Sequence, residues 1–207
     1  MQRYSPGPEP VLRCCLLSGG ASQRMGQDKA MLTHPEGGTW LEHGLVTLAE
    51  LGAPITLLSR WPEHWGLAQS LELPNLEIAP EPSPWEGPLL ALHRLMTQHP
   101  NEKLLLCPVD MPYLNAAVLL QLRDTAAIAP QRIHLAHDGE RRQPLLGIYP
   151  SLSLIRTSLS ATIAAGERSL QRWLMTQPTS DVALEAKAIL NVNYGWELNH
   201  EPEQAPA

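Results

Sequence analysis

The chain lacks the charge balance and the cysteine spacing that mark several common classes of protein. Its 207 residues carry 15 Lys and Arg against 21 Asp and Glu, a formal net charge of −6. Nucleic-acid binders normally have a basic surplus, so this balance argues against nucleic acid as a partner. The three cysteines, Cys14, Cys15 and Cys107, have no metal-ligand spacing and lie in apolar runs. That position favours buried free thiols in a reducing cytosol.

The sequence also lacks an apolar segment long enough to cross a membrane, and its first residues contain no signal-peptide core. We therefore expect a cytoplasmic protein with no membrane partner. The length and the hydrophobic content of 43% suit one domain with a substantial core. We expect that domain to span residues 11–199, between a flexible N-terminus (1–10) and a flexible tail (200–207) that are both rich in Pro and Glu.

Short apolar runs alternate with helical patterns over the first half of the chain. The runs predict strands over Val11–Leu17, Pro54–Ser59, Leu76–Ala79 and Lys103–Pro108. The helical patterns between and after them run from Thr39 to about Leu51, from Pro88 to about His99 and from Asn115 to about Asp124. This alternation predicts an α/β fold, a single three-layer Rossmann-like domain with a mostly parallel, doubly wound sheet.

The second half of the chain is less regular. Apolar runs at 132–136 and 144–149 flank an Asp-Gly pair, Asp138-Gly139, which predicts a hairpin. We expect a helix over Ser169–Met175 and a last strand over Lys187–Leu190. No internal repeat and no linker to a second domain is evident in the sequence.

Small and polar residues follow the predicted strands at the point where each strand ends. They are Ser18-Gly19-Gly20, Ser59, Glu81 and Asp110. Ligands of doubly wound sheets bind beyond the carboxyl ends of the parallel strands. We therefore expect these residues to converge on one site at a single edge of the sheet.

The stretch from Leu17 to Lys29 (LSGGASQRMGQDK) has the properties of a loop that holds a nucleoside triphosphate. Gly19 and Gly20 allow a tight turn, with backbone N–H groups free to point at phosphate oxygens. Arg24 and Lys29 add positive charge, and Lys29 can act as a point charge on a triphosphate.

Two better-known glycine motifs do not fit this stretch. A P-loop needs Ser or Thr directly after its Lys, whereas Ala30 follows Lys29. The dinucleotide-binding fingerprint begins Gly-x-Gly, whereas Gly19 and Gly20 are adjacent. The alternative that remains is an ordinary glycine turn with solvated charges.

Asp110 ends an apolar strand, and a carboxylate placed there opposite a triphosphate loop is suited to hold Mg²⁺. The alternative is an Asp that begins a turn before Pro112.

Gly87 opens a helix whose backbone amides can contact a base or ribose, unless it is only a helix start. Asn191 and Asn193 lie on one side of the chain if that segment is extended, and the alternative is a polar turn or helix cap.

Taken together, several of these segments resemble the MobA-like nucleotidyltransferases. The opening motif is carried by Leu17-Ser18-Gly19-Gly20, Arg24-Met25-Gly26 and Asp28-Lys29. Later segments are most similar to the molybdenum cofactor guanylyltransferases within that family: Gly87-Pro88-Leu89, residues 107–113 (CPVDMPY), 137–141 (HDGER), Gln143-Pro144, 166–170 (GERSL) and Asn191-Val192-Asn193. The resemblance spans about Cys15 to Leu198.

The resemblance implies transfer of GMP from GTP to the terminal phosphate of molybdenum-loaded molybdopterin, with release of pyrophosphate. It implies Mg²⁺ as the cofactor, with Asp110 as its ligand, and Lys29, Arg24 and Asp110 as the catalytic residues. Asn191 and Asn193 would bind the pterin substrate or the metal. The residues expected to bind the nucleotide are Leu17, Ser18, Gly19, Gly20, Lys29, Ser59, Glu81, Gly87 and Asp110. Further partners implied are molybdopterin-maturation proteins and the apo-molybdoenzymes that receive the product.

The sequence departs from the family pattern on the side that would recognise the base. Glu81 stands where an Asp is frequent, Ser59 where an Asn is common, and Leu90-Ala91 where Ala-Gly is usual. A cytidylyltransferase for the same cofactor, or a transferase acting on a sugar or alcohol phosphate, therefore stays open. So does a non-catalytic cofactor carrier, although Lys29 together with Asp110 argues against it.

Overall fold

A computed structural model describes residues 10–20, 28–82 and 86–192 of the chain. Its strands are β1 (Leu12–Leu17), β2 (Ile55–Ser59), β3 (Leu76–Pro80), β4 (Lys103–Pro108), β5 (Ile133–His137), β6 (Arg142–Pro150) and β7 (Thr179–Ala183). Within the described residues they form one seven-stranded sheet in the order β3-β2-β1-β4-β6-β5-β7. β6 runs antiparallel to both of its neighbours, and the other pairings are parallel. The predicted mostly parallel α/β sheet is confirmed.

The helices are α1 (Trp40–Ala49), α2 (Pro62–Ser70), α3 (Pro88–Gln98), α4 (Ala116–Ala127), α5 (Ser153–Ala164) and α6 (Leu170–Leu174). α1 begins at the predicted capping box: Glu42 N–H donates to Thr39 Oγ1, and Thr39 N–H donates to the Glu42 carboxylate. The N-cap Asn115 of α4 accepts from Val118 N–H at 3.1 Å. These local bonds fix where each helix starts relative to the sheet edge.

The sheet is buried on both faces, which explains why its central strands read as unbroken apolar runs. In β1, Cys14 and Leu16 belong to the core layer that packs against α1, α2 and α4. Cys15, between them, belongs to the opposite layer, which packs against α3, α5 and α6. The three cysteines are buried and free, as predicted, and burial raises the pKa of the Cys14 thiol to about 12.

The prediction of a last strand over Lys187–Leu190 is wrong, because most of that segment is a turn. Ala188 and Ile189 are buried in the core from this turn, so their apolar character reflects burial without strand pairing. The last strand of the described chain is β7, which pairs in parallel with β5. It has no apolar run, since Val182 is its only buried residue.

The predicted hairpin is confirmed as β5 and β6, joined through Gly139 with a φ of 101°. α2 and α5 have no counterpart in the predicted pattern. The predicted flexible ends, residues 1–10 and 200–207, lie outside the described residues apart from Pro10. Among the described residues, no helix is long and apolar enough to span a membrane.

Candidate active site

A cavity of about 220 Å³ opens at the carboxyl ends of β1, β2 and β4. Its lining residues are Leu17, Ser18, Gly19, Gly20, Asp28, Lys29, Ala30, Leu58, Glu81, Pro88, Ala91, Pro108, Val109, Asp110 and Leu145. Of the residues predicted to converge on one site, Ser18, Gly19, Gly20, Glu81 and Asp110 line this cavity, whereas Ser59 does not. The register explains the convergence: the parallel ladders of β1 with β2 and β4 continue past the strands through Ser18 N–H to Leu58 O and Val109 N–H to Leu17 O.

Lys29 and Asp110 meet in the wall of this cavity. Lys29 Nζ lies 3.2 Å from Asp110 Oδ2. The other carboxylate oxygen, Oδ1, accepts from Asn191 Nδ2 at 2.9 Å. The two side chains of the ion pair are 16% and 22% exposed, so each remains accessible from the cavity.

The backbone around residue 192 joins this group from a third segment of the chain. Lys29 Nζ donates to Val192 O at 3.1 Å, and Val192 N–H donates to Asp110 O at 2.9 Å. Asn191, predicted to bind substrate, is therefore held directly against the predicted metal ligand. The contact orients the Asp110 carboxylate, because a side-chain amide and a cation each take one of its oxygens.

Glu81 also lines the cavity and is 6% exposed. Its backbone N–H donates to Ser59 O at 2.9 Å, which continues the pairing of β2 with β3. A Cβ built on Gly19 would lie 1.9 Å from Glu81 Oε2. A side chain at position 19 would therefore force Glu81 to move, and Gly19 allows the observed close approach.

Burial raises the pKa of the Glu81 carboxyl, and the positive charges of Arg94 and Arg60 only partly offset it. Arg94 NH1 lies 4.0 Å from Glu81 Oε1, at the outer limit of an ion pair. A carboxylate that is buried and loosely paired has unfilled acceptor capacity toward the cavity. Such a group is suited to accept hydrogen bonds from a ligand.

Three of the predicted site residues that the structure describes, Ser59, Gly87 and Asn191, are not among the residues that line the cavity. Ser59 is fully buried, and its hydroxyl accepts from Trp61 N–H and contacts the His64 ring. Gly87 is buried at the start of α3 with a φ of 91°, and the next residue, Pro88, lines the cavity in its place. Arg24 and Asn193 lie outside the described residues.

Two residues at the site have no assigned role in the sequence-based prediction. Asp28 is the N-cap of a short 3₁₀ turn, Lys29–Met31, and its Oδ1 accepts from Ala30 N–H at 3.0 Å. His64 lies on α2, which has almost no apolar stripe, since its buried residues are His64 and Ala68. No periodicity could therefore reveal that His64 faces inward.

The donor set at Asp110 fits a magnesium ion. Mg²⁺ in nucleotide sites is held by one or two carboxylates together with substrate phosphates and water. Asp110 supplies a carboxylate at the cavity wall. Asp28 and Glu81 also line the cavity, and Asp110 is the carboxylate among these three that lies beside Lys29 Nζ at the end of β4.

A family model of the MobA-like NTP transferase domain matches residues 14–181. The chain belongs to this family. A probable molybdenum cofactor guanylyltransferase of Rhodopirellula baltica is 34% identical over 90% of this chain and 89% of its own length. A molybdenum cofactor guanylyltransferase of Pseudomonas syringae pv. syringae is 31% identical over 88% of this chain and 87% of its own length.

Solved structures agree on the fold of this family. Molybdopterin-guanine dinucleotide biosynthesis protein A of Archaeoglobus fulgidus superposes with a TM-score of 0.72 at 18% identity, over 90% of this chain and 95% of that one. A 4-diphosphocytidyl-2C-methyl-D-erythritol synthase of Anaerococcus prevotii gives a TM-score of 0.72 at 11% identity, over 92% and 94%. At these identities the likeness establishes the nucleotidyltransferase architecture and nothing finer.

Proposed function

We propose that this nucleotidyltransferase transfers GMP from GTP to the terminal phosphate of molybdenum-loaded molybdopterin. The observation that carries the proposal is the Lys29–Asp110 pair in a cavity that Gly19 and Gly20 also line. The names of the relatives from Rhodopirellula and Pseudomonas support the choice of nucleotide and acceptor.

In the proposed reaction, an oxygen of the acceptor phosphate forms a bond to the α-phosphorus of GTP. The bond from that phosphorus to the oxygen bridging it to the β-phosphate breaks, and pyrophosphate leaves. The attacking oxygen is already ionised near neutral pH, so the protein needs no nucleophile and no strong general base. Alignment of two anionic substrates and neutralisation of their charge are the tasks that remain.

In this proposal, the described residues perform both tasks. Lys29 would place its positive charge on the triphosphate, and the backbone at Gly19 and Gly20 would approach the phosphates closely. Asp110 would hold Mg²⁺, which supplies further neutralisation of phosphate charge when bound. Asn191 would keep the Asp110 carboxylate oriented. The roles of Arg24 and Asn193 remain predictions from the sequence.

In this proposal, the Glu81 carboxylate recognises the base of the nucleotide. Guanine carries two adjacent donors, N1–H and the N2 amino group, and a carboxylate can accept from both. Cytosine carries only its N4 amino group on the corresponding edge, so it can satisfy one oxygen at most. The burial of Glu81 strengthens this preference, because an unmatched buried acceptor costs more than an exposed one.

The proposal is tested by incubating the purified protein with each nucleoside triphosphate, Mg²⁺ and molybdenum-loaded molybdopterin. Pyrophosphate release is expected with GTP and not with CTP, ATP or UTP. Release with CTP in place of GTP would identify a cytidylyltransferase for the same acceptor. Transfer of intact cofactor without pyrophosphate release from any nucleotide would identify a carrier.

A further inference from the structure

His64 is a fully buried residue of α2 with a polar partner at each ring nitrogen. Its Nε2–H donates to Asp28 Oδ2, at 2.5 Å, since a carboxylate can only accept. Its Nδ1 lies 2.9 Å from Ser59 Oγ and 3.1 Å from Ser18 Oγ. With Nε2 as the donor, a neutral ring accepts from these hydroxyl groups at Nδ1.

These partners lie at both ends of the glycine-rich stretch. Ser18 follows directly after β1, where the stretch begins, and Asp28 directly precedes Lys29, where it ends. Ser59 adds the end of β2, and its hydroxyl is itself held by Trp61 N–H at 3.1 Å. One imidazole ring therefore ties the two ends of the stretch to the neighbouring strand.

The contact between His64 and Asp28 connects His64 to the pair formed by Lys29 and Asp110. Asp28 Oδ2 is held by His64, and Asp28 Oδ1 caps Ala30 N–H, so both carboxylate oxygens are fixed. That cap begins the 3₁₀ turn that carries Lys29. Burial tends to raise the pKa of the Asp28 carboxyl, but the hydrogen bonds from His64 and from Ala30 N–H lower it overall, which keeps the carboxylate ionised as an acceptor.

We propose that His64 is a positioning residue for nucleotidyl transfer. Through Asp28 it fixes the turn from which Lys29 reaches Asp110, and through Ser18 it fixes the start of the glycine-rich stretch. His64 is not among the residues that line the cavity, so it acts through these neighbours without touching a substrate. The inference rests on the proposed function, because the effect on Lys29 matters for a reaction at that site.

His134 provides a matched control within the same chain. It is also buried, at 3% exposure, but it lies in β5 and its Nε2 contacts Ala129 O at 2.9 Å. It contacts neither end of the glycine-rich stretch. Replacing His134 should lower the free energy of unfolding, as the loss of a buried histidine does. It should not cause the loss of kcat/KM that is expected at His64.

The experiment compares His64→Gln, His64→Asn and His64→Phe with wild type and with His134→Gln. A Gln amide can reach the position of Nε2 and donate to Asp28, whereas an Asn amide reaches only the position of Nδ1. kcat/KM for GTP should fall about 10- to 100-fold in the Asn and Phe variants, the usual cost of removing a residue that orients a ligating side chain. It should be largely retained in His64→Gln and in His134→Gln.

A double-mutant cycle with Asp28→Asn tests whether His64 acts through Asp28. If His64 acts through Asp28, then the double variant Asp28→Asn/His64→Phe should lose little more activity than either single variant. Additive losses of kcat/KM in the double variant would overturn the inference. So would activity that is retained in His64→Asn but not in His64→Gln, or a loss of activity that only follows Tm across all variants.

Hydrogen exchange separates a failure of this inference from a failure of the proposed function. The amide of Ala30 donates to Asp28 Oδ1, and that of Met31 to Asp28 O. Both should exchange faster in His64→Phe than in His64→Gln or wild type, whatever reaction the protein performs. Unchanged exchange in His64→Phe would contradict the inference even in an active enzyme, and a wild type without transferase activity would contradict only the proposed function.

Discussion

Lys29 Nζ lies 3.2 Å from Asp110 Oδ2, although 80 intervening positions and three strands separate the residues along the chain. The pair forms because β1 and β4 are parallel neighbours whose carboxyl ends open on the same edge. Each side chain is neutralised by the other in the cavity wall. In the proposed reaction, the triphosphate would take over the contact with Lys29 and Mg²⁺ the contact with Asp110, so both charges would stay paired.

Replacing Asp110 by Asn should remove most of the catalytic activity. The variant keeps the size of the side chain and its contact with Asn191, but it loses the charge that would hold Mg²⁺. We expect the rate of pyrophosphate release to fall about a thousandfold or more. Asp181→Asn is a suitable control, because Asp181 lies on β7 and pairs with Arg142 of β6, away from the cavity. An Asp110→Asn enzyme with nearly wild-type turnover would remove Asp110 from the mechanism.

Gly19→Ala should impair GTP use far more than Gly20→Ala. The new methyl group would lie 1.9 Å from Glu81 Oε2, whereas a Cβ at Gly20 meets nothing within 4 Å. Glu81 would have to move, and we expect kcat/KM for GTP to fall about tenfold or more, a loss of the size seen when a positioned group is displaced. Glu81→Asp in the Gly19→Ala background should restore part of the loss, since the shorter side chain leaves room for the methyl. Equal effects at the two glycines would show that the close approach has no role.

Glu81→Gln should weaken the discrimination that guanine's amino group provides. An amide keeps one acceptor oxygen but places a donor where guanine also donates. kcat/KM for GTP should fall by about 10- to 100-fold, for a loss of one or two hydrogen bonds to a charged acceptor. kcat/KM for ITP, which lacks the N2 amino group, should fall much less. Glu86→Gln, which alters the other acidic partner of Arg94, is the control. An identical loss for GTP and ITP would argue that Glu81 does not read that amino group.

The same Glu81→Gln substitution should stabilise the fold at neutral pH. The pKa of the Glu81 carboxyl is raised by burial, so ionisation is harder in the folded state than in the unfolded chain. The carboxyl therefore lowers the free energy of unfolding as the pH rises through the interval between its ordinary and its raised pKa. Urea unfolding should give Glu81→Gln the higher stability at pH 7, and the difference should disappear below the ordinary pKa of a glutamate. A difference that persists unchanged in acid would point to a cause other than this titration.

Asp28→Asn should have the opposite dependence on pH. His64 holds the pKa of the Asp28 carboxyl below its usual value despite burial, so the ionised form is favoured in the folded state. The stability that this contributes is present above the unfolded pKa and is lost as the pH falls through the folded pKa. Asp28→Asn should therefore unfold more readily than wild type at pH 7 and match it in strong acid. Asp124→Asn, at an exposed pair with Arg123, should show neither effect.

The sheet and the position of the site could be predicted from the sequence because both depend on local patterns. Apolar runs at β1 and β4 identify strands that are buried on both faces, and residues directly after parallel strands must share an edge. That rule alone brings Ser18, Asp110 and Glu81 to one cavity. It does not require knowledge of any long-range contact.

The remaining parts of the site depend on contacts that the local pattern does not encode. His64 lies on a helix with almost no apolar stripe, and its partners are 46 and 36 positions away. Ser59 is the last residue of its strand, but its hydroxyl turns to the His64 ring and not to the cavity. The apolar residues of Lys187–Leu190 predict a strand, whereas Ala188 and Ile189 are buried from a turn. In each case tertiary packing decides what a side chain contacts.

The most direct test of the central claim follows the phosphates of GTP. Wild-type protein is incubated with Mg²⁺, molybdenum-loaded molybdopterin and GTP that is radiolabelled at either the α- or the γ-phosphate. Attack at the α-phosphorus predicts that the α label appears in the molybdopterin product and the γ label in pyrophosphate, with both signals lost in Asp110→Asn. Label in inorganic phosphate, or no label in the molybdopterin product from GTP, would contradict the account.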